Sequence, residues 1–477
     1  MSSPASRRAV DPRLIEGPII RSLFLLAIPI MGANVLQLGY QLIDAFWVGR
    51  LGAVGVAAVS VSMPILFVMI SAGMGFAVAG SILIAQYAGA RDHRMVDHVA
   101  AQTLLVVTGI SIVLGSAGVA IAPYLLKLMR VAPDVDQAAL AFLRVSLAAM
   151  PFIFAYIMFQ SLLRGVGQVT APLYIIAGTV FANFWLDPVL IFGKFGMPAL
   201  GVMGAAIATL LAQGLAAVIG VGLLFSGRYG IHLRWSLFRP DFAFMKRAFH
   251  LGYPASIEQS ARGFGMTVMT FLITSFGTIA TASFGVAVNV INVVVVPAMG
   301  FSMATATLVG QNIGNNNIPR AERVAQMASL VTFSALSVAG VIAFAFAHDI
   351  VAFFVPAAPT VIVEGAHLLR IVAWSFGFIG LQFALTGVLR ASGDVMAAMI
   401  IGLISQWVLQ FPLAFVMAER LGMGTDGLWW AFPMTNVATA LIAGIWFTRG
   451  DWKTRRLIQP LTREERDEAA VAEQVIP

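Results

Sequence analysis

Long apolar runs, separated by short polar or Gly/Pro-rich segments, fill most of the chain. A helix that crosses a bilayer needs about 20 mostly apolar residues. Twelve runs meet that length: 20–46, 53–82, 99–124, 138–162, 171–192, 201–225, 249–274, 279–308, 325–354, 361–388, 396–418 and 427–448. The breaks fall at stretches such as Gly89–Arg94, Arg164–Gly167, Gly227–Arg239 and Gly310–Arg323. Barrel strands are excluded, because the runs are much longer than such strands and lack their strict alternation. The pattern predicts an all-α polytopic membrane protein with twelve transmembrane helices.

The chain also repeats itself. At an offset of 225, Pro29 matches Pro254, Gly52 matches Gly277, and Met74, Gly75, Phe76 and Ala79 match Met299, Gly300, Phe301 and Ala304. Gln86 and Gly89 match Gln311 and Gly314 at the same offset. At offset 226, Leu163, Arg164 and Gly167 match Leu389, Arg390 and Gly393, and Gly201 and Thr209 match Gly427 and Thr435. Each half carries six spans, an even number, so both halves enter the bilayer the same way up. Two six-helix lobes related by a pseudo-two-fold axis along the membrane normal are expected, as in transporters built from parallel repeats. The expected divisions are a tail at 1–19, an N-lobe at 20–225, a linker at 226–248, a C-lobe at 249–448 and a tail at 449–477.

Composition sharpens the class. Hydrophobic residues make up 59% of the 477 and charged residues 11%, against about 25% charged in soluble domains, and mean hydropathy is +0.89. This excludes a soluble enzyme, a disordered chain and a nucleic-acid binder. The absence of cysteine excludes disulfides, thiolate metal sites and a cysteine nucleophile. The net charge of +7 has a membrane explanation: Lys and Arg gather in cytoplasmic loops. Of the 29 basic residues, 21 lie on the side of the termini and five on the other, with Arg144, Arg262 and Arg370 inside spans. Both termini are therefore expected in the cytoplasm. Residues 1–20 are polar, and the apolar run after them exceeds a signal peptide's apolar region, so no cleavable signal is expected.

Features that break the repeat are candidates for chemistry. Asp44, Asp187 and Glu258 lie inside predicted spans, and their symmetry mates are Met269, Leu413 and Ala33. A carboxylate at helix depth costs about 2.5–3.5 kcal/mol, which suggests a use. Gln37, Tyr40, Gln41 and Asp44 recur at i, i+3, i+4 and i+7, one face of one helix. That face must meet protein or water; the alternative is a solvated Asp44 near Arg50. Asp187 follows Asn183 by one turn and precedes Pro188. Its alternative is an interfacial helix C-terminus, where the macrodipole disfavours Asp. Two such carboxylates together can hold a proton near neutral pH. Glu258 has Arg262 at i+4, the spacing of an intrahelical ion pair near the cytoplasmic end.

Gln160, Thr209 with Gln213, Asn289 with Asn292, and Gln406 with Gln410 are candidate cavity residues or simple interhelical bonds. Asp349 and Glu364 flank a short outer loop. His93, His98, His232, His250, His348 and His367 lack metal-ligand spacing, so no metalloenzyme is expected. The turn at Gly310–Gly314 lacks a Walker lysine and is expected to be a helix-end turn. With no ATPase module, transport would be secondary. No nucleophile–base pair supports a membrane enzyme.

At this point the residues resemble a known family. The segments 26–52, "LAIPIMGANVLQLGYQLIDAFWVGRLG", 163–172, "LRGVGQVTAP", 183–188, "NFWLDP", and 308–317, "LVGQNIGNNN", are similar to the multidrug and toxic compound extrusion (MATE) family, closest to its DinF-like branch. The similarity covers about residues 15–450. It implies two lobes around a V-shaped cleft and efflux of organic, often cationic, compounds in exchange for H+ or Na+. It also implies a cation site at Asp44, Asn183 and Asp187, with Na+ as the only metal in question. Glu258, Arg262 and Asn289 are a weaker C-lobe set, since Gly377 occupies the position where a related branch carries an acid. A proton is favoured, because hard cations usually take more oxygen ligands. No cofactor beyond the coupling ion, no nucleic acid and a monomer in the bacterial inner membrane are expected. The alternatives are a lipid-linked precursor flippase of the same wider superfamily, with basic residues for phosphates, and a passive channel.

Overall fold

The computed structural model describes residues 11–455 and 457–458. The remainder of the two expected tails, 1–10, Arg456 and 459–477, lies outside the described residues. The described residues are helical throughout and contain no strand. After a short helix at Pro12–Glu16, twelve helical spans follow in chain order. They are α1 (Ile19–Gly49), α2 (Ala53–Gly89), α3 (His93–Leu128), α4 (Pro133–Ala148 and Met150–Val166), α5 (Thr170–Phe192) and α6 (Val202–Phe225). The second six are α7 (Phe242–Thr274), α8 (Thr278–Gly314), α9 (Ile318–Ala345), α10 (Pro359–Ala373 and Phe376–Ala391), α11 (Val395–Arg420) and α12 (Thr425–Arg449).

The helices begin and end where local chemistry dictates. Asp92 accepts from the Met95 N–H at 2.9 Å and caps α3. Asn317, its symmetry mate, accepts from the Arg320 N–H at 3.1 Å and caps α9. Both supply an oxygen to otherwise unpaired N–H groups. Gly167, Gly193 and Gly450 end α4, α5 and α12 in the left-handed conformation. As expected, Gly310–Gly314 lies at a helix end, forming the last turn of α8. The chain turns at Asn315–Asn317, with Asn316 at φ 59°.

Two spans are bent. α4 breaks at Ala149 by 47° and α10 at Trp374–Ser375 by 48°, at repeat-related positions. Pro151 follows the first break, whereas Ser375 at the second donates to the Val372 carbonyl at 2.8 Å and accepts from Asn436 at 3.0 Å. In both halves the bend presses a carbonyl against a glycine. A Cβ on Gly115 would stand 2.6 Å from the Leu147 oxygen, and one on its mate Gly340 would collide with the Ala373 oxygen. α11 contains two π-helical stretches, Ile404–Gln410 and Val416–Arg420, on either side of the segment holding Pro412, which cannot donate to the preceding turn.

The spans form two compact units, whose division runs inside helices. One holds Gly32–Ile257, the other Glu16–Met31 with Glu258–Leu457. The expected lobes at 20–225 and 249–448 thus differ from these units in two places: the start of α1 belongs to the second unit, and the linker with the start of α7 to the first. Packing gives the reason. In the first unit Phe76 meets Phe249 at 5.6 Å between ring centroids, and Ser256 donates to the Ala72 carbonyl at 2.8 Å. In the second, Phe301 meets Phe24, also at 5.6 Å. Gly75 lies against Gly252 and Ser256, and its mate Gly300 against Met31. The repeated Met-Gly-Phe motif is therefore the seat of an entry helix.

The linker is fastened to α3. Gln102 Nε2 donates to the carbonyls of Leu237 and Arg239, each at 2.7 Å, and its Oε1 accepts from the Asp241 N–H at 3.0 Å. Asp97 accepts from the His232 N–H at 2.6 Å. Gln102→Leu leaves two carbonyls and one N–H without this partner, at a cost of about 1–3 kcal/mol. The expected outcome is faster tryptic cleavage after Arg234 with a lower unfolding temperature. Unchanged cleavage would show that the linker is held elsewhere.

Candidate functional site

Three elements of the first unit meet around two carboxylates. α1 contributes its polar stripe: Tyr40 is buried, Gln37 and Asp44 are half-buried, and Gln41 is exposed. α5 contributes Asn183 and Asp187, one turn apart and both 0% exposed. α6 contributes Thr209, which faces the Tyr40 hydroxyl. The Tyr40 hydroxyl, like one oxygen of each carboxylate, is buried without a hydrogen-bond partner.

Asp187 is not at a helix terminus. α5 continues through Pro188 to Phe192, so the carboxylate sits in the interior of the element and of the unit. Asn183 Nδ2 donates to Asp187 Oδ1 at 3.0 Å. Asp187 Oδ2, Asn183 Oδ1 and Asp44 Oδ1 are all buried without a hydrogen-bond partner. Arg50 does not pair with Asp44. Its guanidinium lies over Phe46 and Trp47, 4.4 and 5.0 Å from the ring centroids. Trp47 in turn packs edge-on against Phe184 and Phe192 of α5, each at 6.1 Å.

The site is therefore rich in acceptors and has no basic residue paired to it among the described residues. Buried polar groups are normally satisfied, and each exception calls for a reason. Buried like charges repel, and a bound proton or small cation relieves both the repulsion and the unpaired oxygens. Among the other candidates, Gln160 faces the Tyr156 hydroxyl and Gln213 is buried. Neither bonds to either carboxylate among the described residues. Trp47, with its own buried and unpartnered Nε1, went unnoticed in the sequence. Its position one turn after Asp44 was the available signal.

The second unit arranges its acid differently. Glu258 is 1% exposed. Its Oε1 accepts from Arg262 at 2.8 Å, the intrahelical pair that the spacing predicts, and from Arg390 of α10 at 2.6 Å. Arg262 also lies over the Phe383 ring, 5.2 Å from its centroid. Asn289 is exposed and donates to the Gly285 carbonyl of its own helix at 3.0 Å, so it does not join this group. Arg390 was visible in the sequence only as the mate of Arg164. Nothing in the spacing linked it to Glu258.

Removing one member of a buried ion pair leaves uncompensated charge and typically costs about 3–5 kcal/mol. Glu258→Ala, which leaves two guanidiniums facing each other, is expected to lower the thermal unfolding temperature clearly in detergent. An unchanged temperature would mean that the cluster contributes little to stability.

Comparison with known proteins extends this picture. The MatE family model matches twice, over residues 29–189 and 254–416, two stretches related by the internal repeat. The chain is 30% identical over 448 residues to the probable multidrug resistance protein YoeA of Bacillus subtilis, covering 92% of this chain and 96% of that protein. It is 28% identical over 458 residues to the probable multidrug resistance protein NorM of Thermotoga maritima, covering 94% and 96%. Among solved structures, a MOP superfamily transporter from Pyrococcus furiosus, described as having a binding pocket of reverse polarity, shares the fold with a TM-score of 0.86. The alignment covers 95% of this chain and all of that one at 22% identity.

Proposed function

The chain belongs to the MatE family of multidrug efflux transporters, and on that premise we propose that it is a secondary antiporter. It exports organic, often cationic, compounds in exchange for H+ or Na+, bound at Asp44, Asn183 and Asp187. One observation carries the assignment: three buried oxygens on these residues have no partner, and no basic side chain is paired to the carboxylates among the described residues. A proton is the favoured ion, since hard cations usually take more oxygens than this set provides.

The exchange follows from linkage. A coupling ion and a substrate exchange only if they bias two states of the carrier differently. Neutralising the two carboxylates changes the environment of α1 and α5 and favours substrate release. Losing the ion to the cytoplasm restores the negative site. A membrane potential adds about 2.3 kcal/mol per charge per 100 mV. No covalent step, cofactor or nucleic acid enters this cycle. The protein acts as a monomer in the bacterial inner membrane with both termini in the cytoplasm, a placement supported by the Lys and Arg distribution. A second reading, a lipid-linked precursor flippase, has the excess positive charge of the Glu258–Arg262–Arg390 cluster in its favour.

Proteoliposomes with an imposed pH gradient test the proposal through ethidium flux. Wild type is expected to move ethidium against its gradient, and Asp44→Asn and Asp187→Asn each to lose uphill movement. Flux that follows a Na+ gradient instead keeps the site and changes the ion. Wild type without flux under either gradient overturns the antiporter reading, and lipid-linked substrates become the next test.

A further inference from the structure

Away from the carboxylates, the first unit carries an apolar groove of about 520 Å3 on the outer side of α3. Its wall is a helical stripe that includes Val106, Gly109 and Val113, and its roof comes from Pro240, Phe242 and Met245 at the linker and the start of α7. The opposite stripe of α3, Thr103, Val107, Ser111 and Gly115, is the one buried in the unit. The groove thus faces out of the protein: Val113 is 67% exposed and Phe242 78%. Gly109 leaves room, since a Cβ there would meet nothing within 4 Å. The stripe from Leu105 to Leu114 extends about 13 Å along the helix, a length suited to a lipid tail.

The rim is basic. Arg239 immediately precedes Pro240 and Lys246 immediately follows Met245; both are exposed. Neither has an ion-pair partner among the described residues. The one acid between them, Asp241, is already engaged by the Phe244 N–H at 3.0 Å and by His98 at 3.3 Å. The Phe244 bond is the main reason that its carboxyl is held below the usual range. Trp235, 80% exposed, stands beside Phe225 and Phe238 at 5.1 and 5.9 Å. Exposed aromatics next to basic residues mark the headgroup level of a bilayer. The Gln102 bonds hold this roof in place.

We propose that this groove binds one anionic phospholipid, its acyl chain along the Val106–Val113 stripe and its phosphate held by Arg239 and Lys246. Basic pockets beside membrane helices select anionic headgroups, and an apolar wall below such a pocket adds a tail site. This role is separate from transport at Asp44 and Asp187.

Native mass spectrometry of the detergent-solubilised full chain, given equal dioleoylphosphatidylglycerol and dioleoylphosphatidylcholine, tests it. Wild type is expected to retain the anionic lipid preferentially. Arg239→Ala with Lys246→Ala is expected to reduce that preference roughly 30-fold, about fivefold for each charge. Gly109→Phe, which fills the groove, is expected to reduce retention of both lipids, while glycerol phosphate alone displaces neither. Equal retention of the two lipids by wild type, or an unchanged preference in the double variant, would overturn the proposal. So would displacement by glycerol phosphate, since it would reduce the site to one for free phosphate.

Discussion

A carboxylate buried within a membrane-spanning bundle must be neutralised or carry a penalty, and this constraint organises the chain. Glu258, Asp187 and Asp44 meet the constraint in different ways. Glu258 is held by two guanidiniums. Asp187 receives one hydrogen bond, from Asn183, and keeps an unpaired buried oxygen. Asp44 also has an unpaired buried oxygen, although a guanidinium lies two turns away on the rings of Phe46 and Trp47. Protein groups therefore complete the second unit's acid, whereas the first unit's acids keep buried oxygens without a protein partner.

The two halves share a scaffold and differ in chemistry. Shared positions carry packing: Gly75 and Gly300 seat entry helices, Phe76 and Phe301 pack on Phe249 and Phe24, and Gly115 and Gly340 admit a bent carbonyl. Small residues matter at such contacts because close backbone approach is the main source of helix association in lipid. Positions that break the repeat carry charge. Asp44 aligns with Met269 and Asp187 with Leu413, so the paired acids belong to one half alone.

Much of this was legible in the sequence, for identifiable reasons. Twelve spans follow from apolar length, and the first-unit site follows from helical spacing: Tyr40 and Asp44 share a face, and Asn183 is one turn from Asp187. The Glu258–Arg262 pair was legible for the same reason. Long-range partners were not. Arg390 reaches Glu258 from another helix, and no local spacing encodes that meeting. The unit boundary inside α1 and α7 was equally hidden, because it depends on where Phe24 and Phe249 pack.

The most direct test of the central claim is an equilibrium one. Ethidium is added to purified protein in lightly buffered detergent solution without Na+, and released protons are followed with a pH indicator. If substrate and proton exchange at the carboxylates of the first unit, wild type releases protons as ethidium binds and Asp187→Asn binds ethidium with that release largely lost. Ethidium binding by wild type without proton release, and without competition from added Na+, would contradict coupling at this site.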